Sequence, residues 1–181
     1  MHAHCLLWVL REALPRASRL GILSNLANPL QSDYLRTAQE SARTLKWQLR
    51  TYDVRTQGDL AGAFAAMQKD RMDAMFLMPD AWFFPHREEI VALARRHRLP
   101  AIYGNSAFPD LGALLTYGAN LDDMSDRAAT YVDKLLKGAK PADLLVELPA
   151  KFDFVVNAKT ARELGLTLPQ SILLRATRVI E

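Results

Sequence analysis

Four short segments gather the side chains able to do chemistry: Ser24-Asn25-Leu26-Ala27-Asn28-Pro29, Met78-Pro79-Asp80-Ala81-Trp82-Phe83-Phe84, Tyr103-Gly104-Asn105-Ser106 and Thr116-Tyr117-Gly118-Ala119-Asn120. Their residue types suit holding a small polar molecule. In the first, the Ser24 hydroxyl, the Asn25 and Asn28 amides and a helix N-terminus just downstream can receive a carboxylate or a carbonyl. The same residues also serve plain turn and capping chemistry. In the second, Asp80 can pair with a ligand ammonium, while Trp82 or Phe83 covers an apolar or aromatic body, including by cation–π contact. The other reading makes Asp80 a helix N-cap and the aromatics core.

Bond-breaking chemistry finds little support in this sequence. His2 and His4 lie at the chain start, and His86 and His97 stand eleven positions apart at opposite ends of one predicted helix. Neither HExxH nor CxxC spacing occurs, so no metal site is expected. The eight glycines fall into neither GxGxxG nor GxxxxGK[ST], and Gly-x-Ser-x-Gly is absent too. The expectation is a non-enzymatic protein without a cofactor. Cys5 is the only cysteine, which excludes an internal disulfide. With 23 Lys+Arg against 20 Asp+Glu, the net charge of +3 is too mild and too scattered to call for a nucleic-acid partner. The densest basic run, Arg95-Arg96-His97-Arg98, ends a predicted helix, where cations complement the carbonyl end of the dipole.

Loops of this kind need strands to carry them. From Arg19 onward the hydrophobic pattern alternates between short apolar runs and amphipathic stretches, which predicts an α/β fold with a mostly parallel sheet. Strands are expected at Leu20 to Leu23, Trp47 to Val54, Met72 to Met78 and Leu99 to Tyr103. Helices are expected at Gln31 to Lys46, Asp59 to Gln68 and Asp80 to Arg96, the last entered through Phe83-Phe84-Pro85. All four chemistry-bearing segments then follow strands, where an open α/β sheet collects its ligand contacts. Ahead of this lobe, Leu6, Leu7, Val9, Leu10 and Leu14 read as the tail of an amphipathic helix stopped by Pro15. The run Cys5 to Leu10 is too short for a membrane span and lacks the basic flank of a signal peptide. After Tyr103 the rhythm changes, with a loop, a short run Ala113 to Tyr117, and a long helix from Leu121 to Leu136 stopped by Gly138.

The stretch from Asp126 to Leu166 contains RAATYVDKLLKGAKPADLLVELPAKFDFVVNAKTARELGL. Together with Ser18-Arg19-Leu20-Gly21-Ile22-Leu23, Asn28-Pro29, Leu99-Pro100-Ala101-Ile102-Tyr103 and Thr116-Tyr117-Gly118, it resembles ABC-transporter substrate-binding proteins of the tryptophan/tyrosine-binding type. Nearly the whole chain takes part. The resemblance implies a type I periplasmic-binding fold, an α/β doubly wound parallel sheet lobe plus the C-terminal portion of the other lobe. It divides the chain into a lead-in helix over 1–18, a second ligand-binding lobe over 19–112, and a return segment over 113–181 whose sheet partners would lie upstream. The implied function is the substrate-binding component of an importer. It would clasp a small organic ligand, an amino acid or aromatic compound, between two lobes and dock on permease subunits in the periplasm. The alternatives are a small-molecule sensor domain of the same fold and a truncated remnant without function.

Ser24, Asn25, Asn28, Asp80, Trp82, Tyr103, Asn105, Thr116 and Tyr117 are the expected ligand contacts. The family pattern at the last segment resembles Ser-Tyr-Gly-Pro-Asn, and this chain has Thr116 for the Ser and Ala119 for the Pro. Unpaired sheet edges and apolar faces in the return segment predict one of two outcomes: a homodimer formed through it, or its partial disorder beside an independently folded 19–104.

Overall fold

The computed structural model describes residues 2–105 and 107–181. Met1, Ser106 and the His2 side chain fall outside that description, and with them the expectations placed on Ser106 and on His2.

Among the described residues seven strands form one sheet: β1 (Arg19–Ser24), β2 (Gln48–Asp53), β3 (Ala74–Leu77), β4 (Ala101–Tyr103), β5 (Leu115–Ala119), β6 (Phe152–Asn157) and β7 (Arg178–Ile180). Their order is β2-β1-β3-β4-β5-β6-β7. Among the described residues only the β5/β6 pairing is antiparallel. The central strands are short and continuously apolar because both of their faces are covered. On one face, Leu20, Ile22, Phe76, Ile102, Leu115 and Val156 pack with α1 (His2–Ala13), α2 (Gln31–Thr44) and later helices. On the other, Leu23, Met75, Leu77 and Tyr103 meet α3 (Asp59–Lys69) and α4 (Arg87–Arg96). The helix expected over Asp80 to Arg96 starts only after its Phe83-Phe84-Pro85 entry: a separate 3₁₀ turn covers Ala81–Phe83, and α4 begins at Arg87.

Beyond β5 the chain departs from its sequence reading. The helix α5 (Leu121–Leu136) forms as expected, capped by the Asn120 side chain accepting from the Asp123 amide at 2.7 Å. It buries none of its residues. No strand forms around Val146 despite its apolar neighbours, and Leu145, Val146 and Leu148 lie open to solvent. The chain then rejoins the sheet: β6 runs against β5 from Leu115↔Val156 to Ala119↔Phe152, and α6 (Ala158–Leu164), α7 (Gln170–Arg175) and β7 complete that edge. The expectation that strands after Tyr117 find partners only upstream is therefore corrected, because β5 itself supplies the edge on which β6 pairs.

Candidate functional site

The order β2-β1-β3 fixes where loops can open away from one another. Chain connections leave β1 toward β2 on one side and return past it to β3 on the other, so the loops after β1 and β3 diverge and leave a crevice at the carboxyl ends. Those two loops carry Ser24 to Pro29 and Met78 to Phe84.

Side chains sew the crevice together. The Asn28 Nδ2 donates to Asp80 Oδ2 at 2.9 Å, bridging the two loops. Asp80 Oδ1 accepts from the Trp82 amide at 2.8 Å and so caps the 3₁₀ turn that holds the indole. Asp80 is thus a cap, as one sequence reading had it, with its second oxygen turned to the β1 loop. Trp82 is half-buried, edge-on to Phe83 at 5.3 Å and tilted against His86 at 4.5 Å between ring centroids. Below them the buried Ser24 donates from Oγ to Gln31 Oε1 at 3.3 Å, and Gln31 Nε2 donates to the Pro79 carbonyl at 2.8 Å. Asn25 Oδ1 accepts from the Ala27 amide and Asn28 Oδ1 from the Leu30 amide, so both asparagines shape the loop by local turns.

Two contributors went unread in the sequence. Gln31, buried at the start of α2, joins both loops, and Asp53, at the end of β2, accepts the Leu26 amide at 2.8 Å. Asp53 is the last residue of its strand and Gln31 the first of its helix, positions whose polar side chains are the readable signal.

Other expected contacts lie elsewhere. Strand register sets Leu23, Leu77, Tyr103 and Thr116 in one row across the sheet. Tyr103 points into the core, stacked on Phe108 at 4.9 Å, and burial pushes its phenol well above the ordinary range. It is a core residue, because the alternation of β4 turns it toward α4. Thr116 is also buried, and its Oγ1 makes no hydrogen bond among the described residues. Asn105 Oδ1 accepts from the Ala107 amide at 2.8 Å, a turn contact. Tyr117 stands on the α1 face of β5, stacked on Phe152 at 5.8 Å and edge-on to Phe154 at 6.2 Å. Three strand spacings, about 14 Å, separate β5 from β1. Burial, then the neighbouring Cys5, raises the Tyr117 phenol.

The row after this one puts Met78, Gly104 and Tyr117 level with Ser24. A Cβ on Gly104 would meet Pro79 Cγ at 2.6 Å, so glycine is what lets the β4 loop pass beneath the Asp80 loop. The Arg95 to Arg98 run meets protein: Arg95 pairs with Glu163 at 2.7 Å, and Arg98 donates to the Glu163 carbonyl. Among the described residues no group of His, Cys, Asp or Glu could hold a metal ion, and no helix is long and apolar enough to cross a membrane.

A family model described as ABC transporter substrate binding protein matches residues 7–180. An ABC domain in complex with L-Trp from Streptococcus pneumoniae superposes with a TM-score of 0.89 at 23% identity, over 99% of this chain and 60% of that one. A conserved domain protein from Vibrio cholerae O1 biovar El Tor gives 0.88 at 22%, over 98% and 60%. A leucine-binding protein from Thermotoga maritima gives 0.53 at 14%, over 66% and 36%. The chain therefore has the α/β architecture of type I periplasmic-binding proteins and spans about 60% of the length of the first two of these relatives. No curated protein matches it.

Proposed function

The chain belongs to the ABC transporter substrate-binding protein family, and we propose that it supplies one ligand-binding lobe of an import receptor, binding a small amine-bearing molecule without covalent chemistry. The observation that carries this reading is the Asn28–Asp80 bridge at the β1/β3 crevice. It puts a carboxylate where an open α/β sheet takes its ligands, with the half-buried Trp82 ring beside it. Asp80 accepts one hydrogen bond on each oxygen, and a carboxylate has room for about four, so a ligand ammonium can add to it. An amino acid with an apolar or aromatic side chain fits this pairing of charge and ring, and the L-Trp bound by the pneumococcal relative is of that class. Asn25, Asn105 and Ser24 shape the walls.

The same reading assigns α5 and the exposed stretch through Leu148 to contact with the portion of a receptor that this chain does not span. This narrows the return segment from 113–181 to about 120–151, since β6 to β7 serve the sheet described above. Permease subunits and a periplasmic location follow from the family and belong to this proposal.

The test is Asp80→Asn. Asparagine caps about as well as aspartate, so the turn persists while the charge goes. Titration calorimetry with L-tryptophan is expected to show about tenfold or greater weakening, with the melting temperature lowered only by the loss of the one part-buried Asn28 hydrogen bond, about 1 kcal/mol. Equal binding by both proteins sinks the assignment.

A further inference from the structure

On the α1 face, away from the β1/β3 crevice, a second cavity of about 570 Å³ opens between α1, α7 and the β5/β6 edge. That volume lies within the range of small-molecule sites, roughly 300–1,000 Å³. Its walls are aromatic: Trp8 from α1, Tyr117 from β5 and Phe154 from β6. The rings are held in place. Trp8 lies edge-on to His4 at 5.9 Å, His4 Nδ1 is 3.0 Å from Ser41 Oγ, and Tyr117 is fixed by Phe152 and Phe154. Trp8 is nonetheless 46% exposed, although the rest of α1's apolar face is buried. An indole fixed in position and left in water at the mouth of a cavity is an available stacking surface.

The polar end of the cavity is an ion pair. Arg175 meets Glu12 through Nη2 and donates from Nε to the Ser171 carbonyl at 3.2 Å, while Ser171 Oγ donates to Glu12 Oε1 at 2.6 Å. The two charges cancel locally, so the site asks for no counter-ion. Nη1 of Arg175 makes no hydrogen bond among the described residues, which leaves a donor for an acceptor on the occupant. We propose that this cavity is a second small-molecule site, taking an uncharged one- or two-ring aromatic that stacks on Trp8 and Tyr117 and offers a carbonyl-type oxygen to Arg175. It shares no residue with the Asn28–Asp80 crevice.

Coumarin is a suitable probe, two fused rings with a lactone carbonyl, and coumarin-3-carboxylate is its anionic counterpart. Calorimetry on this chain is expected to show one equivalent of coumarin bound. Trp8→Ala, which removes an exposed ring and should leave folding intact, weakens it about tenfold, and Arg175→Gln weakens it several-fold. The carboxylate binds more weakly than coumarin because it must shed its hydration shell and the paired Arg175 and Glu12 leave no net positive charge to replace it. Asp80→Asn changes nothing, which separates this site from the crevice. The proposal is overturned if the unaltered chain binds no coumarin, if Trp8→Ala binds as well as its parent, if the carboxylate binds tighter, or if Asp80→Asn removes binding.

Discussion

Two amphipathic helices of this chain meet opposite fates. In α1, Leu6, Leu7 and Leu10 are sealed against the sheet beside Leu20, Phe76 and Ile102. In α5, Val132, Leu135 and Leu136 face water, and the segment that follows leaves Val146 96% exposed. The patterns that predicted both helices are alike, an apolar stripe at helical spacing closed by a stop residue, Pro15 for one and Gly138 for the other. The stripe therefore tells that a helix has a partner to cover it. It does not tell whether that partner lies within these 181 residues. The contrast also localises the unfinished surface, because eight of the exposed large hydrophobics named by position fall between Leu121 and Leu148: Leu121, Met124, Val132, Leu135, Leu136, Leu145, Val146 and Leu148.

The sharpest way to break the comparison is to truncate one leucine on each helix. Leu7→Ala removes a fully buried side chain and is expected to cost about 2–5 kcal/mol in urea unfolding. Leu136→Ala removes one that is 84% exposed and is expected to stay within about 0.5 kcal/mol. Equal losses would mean that α5 is covered in solution.

This asymmetry explains what could be read from the chain alone. The strand-helix alternation through Tyr103 was legible because each element there is buried by neighbours in sequence, so local periodicity and tertiary burial agree. Pro85 was legible as part of the entry to the helix ahead of Arg96, because a proline is tolerated at a helix start and not inside it, and α4 begins just beyond it at Arg87. The β6 pairing was missed because antiparallel return to β5 across a 32-residue excursion, from Ala119 to Phe152, leaves no local signature. At the crevice, Asp80 and Asn28 could be singled out from residue type and loop position, whereas their hydrogen bond to one another could not. Tyr103 was misplaced for a related reason: strand alternation decides its face, and a three-residue strand shows too little alternation to read.

Next in size is Gly104→Ala. The added methyl would lie 2.6 Å from Pro79 Cγ, and the proline ring cannot rotate away as a flexible chain end would. A destabilisation of about 1–3 kcal/mol is expected, by thermal or urea unfolding. The Asp80 loop moves with Pro79, so weakened L-tryptophan binding should accompany it. An unchanged midpoint would show that the β3 and β4 loops are looser than the crevice reading requires.

A smaller effect belongs to the opposite end of the sheet. Asp73 Oδ2 accepts from the Ser18 amide at 2.8 Å, the Arg19 amide at 2.9 Å and the Ser18 hydroxyl at 3.1 Å, pinning β1 to β3. Burial alone would raise this carboxyl, but the two amides, the hydroxyl and Arg19 together hold it below its ordinary value. A depressed folded-state pKa contributes stability that is present above the unfolded value, about 3.9, and is lost as pH falls through the folded value. Asp73→Asn should therefore cost about 1 kcal/mol at neutral pH and flatten the acid limb of the stability curve below about pH 4. A parallel acid limb in both proteins would leave the pinning role without support.

The smallest expected change in stability attends the largest expected change in behaviour. If α5 and the stretch after it are a contact surface left open in this chain, their apolar side chains favour association, and copies of the same chain offer the nearest apolar partner. Leu135→Glu with Val146→Lys places opposite charges on that surface and removes two apolar groups that touch no core, so the unfolding midpoint should move by less than about 0.5 kcal/mol. Sedimentation equilibrium is expected to show concentration-dependent dimers of the parent chain and monomers of the variant. The sheet edges give the control, since β2 and β7, the two outer strands, are further places where copies could join. A variant that still dimerises would move the contact to one of those edges, and a parent that stays monomeric at every concentration would show that α5 is not adhesive enough to need a partner at all.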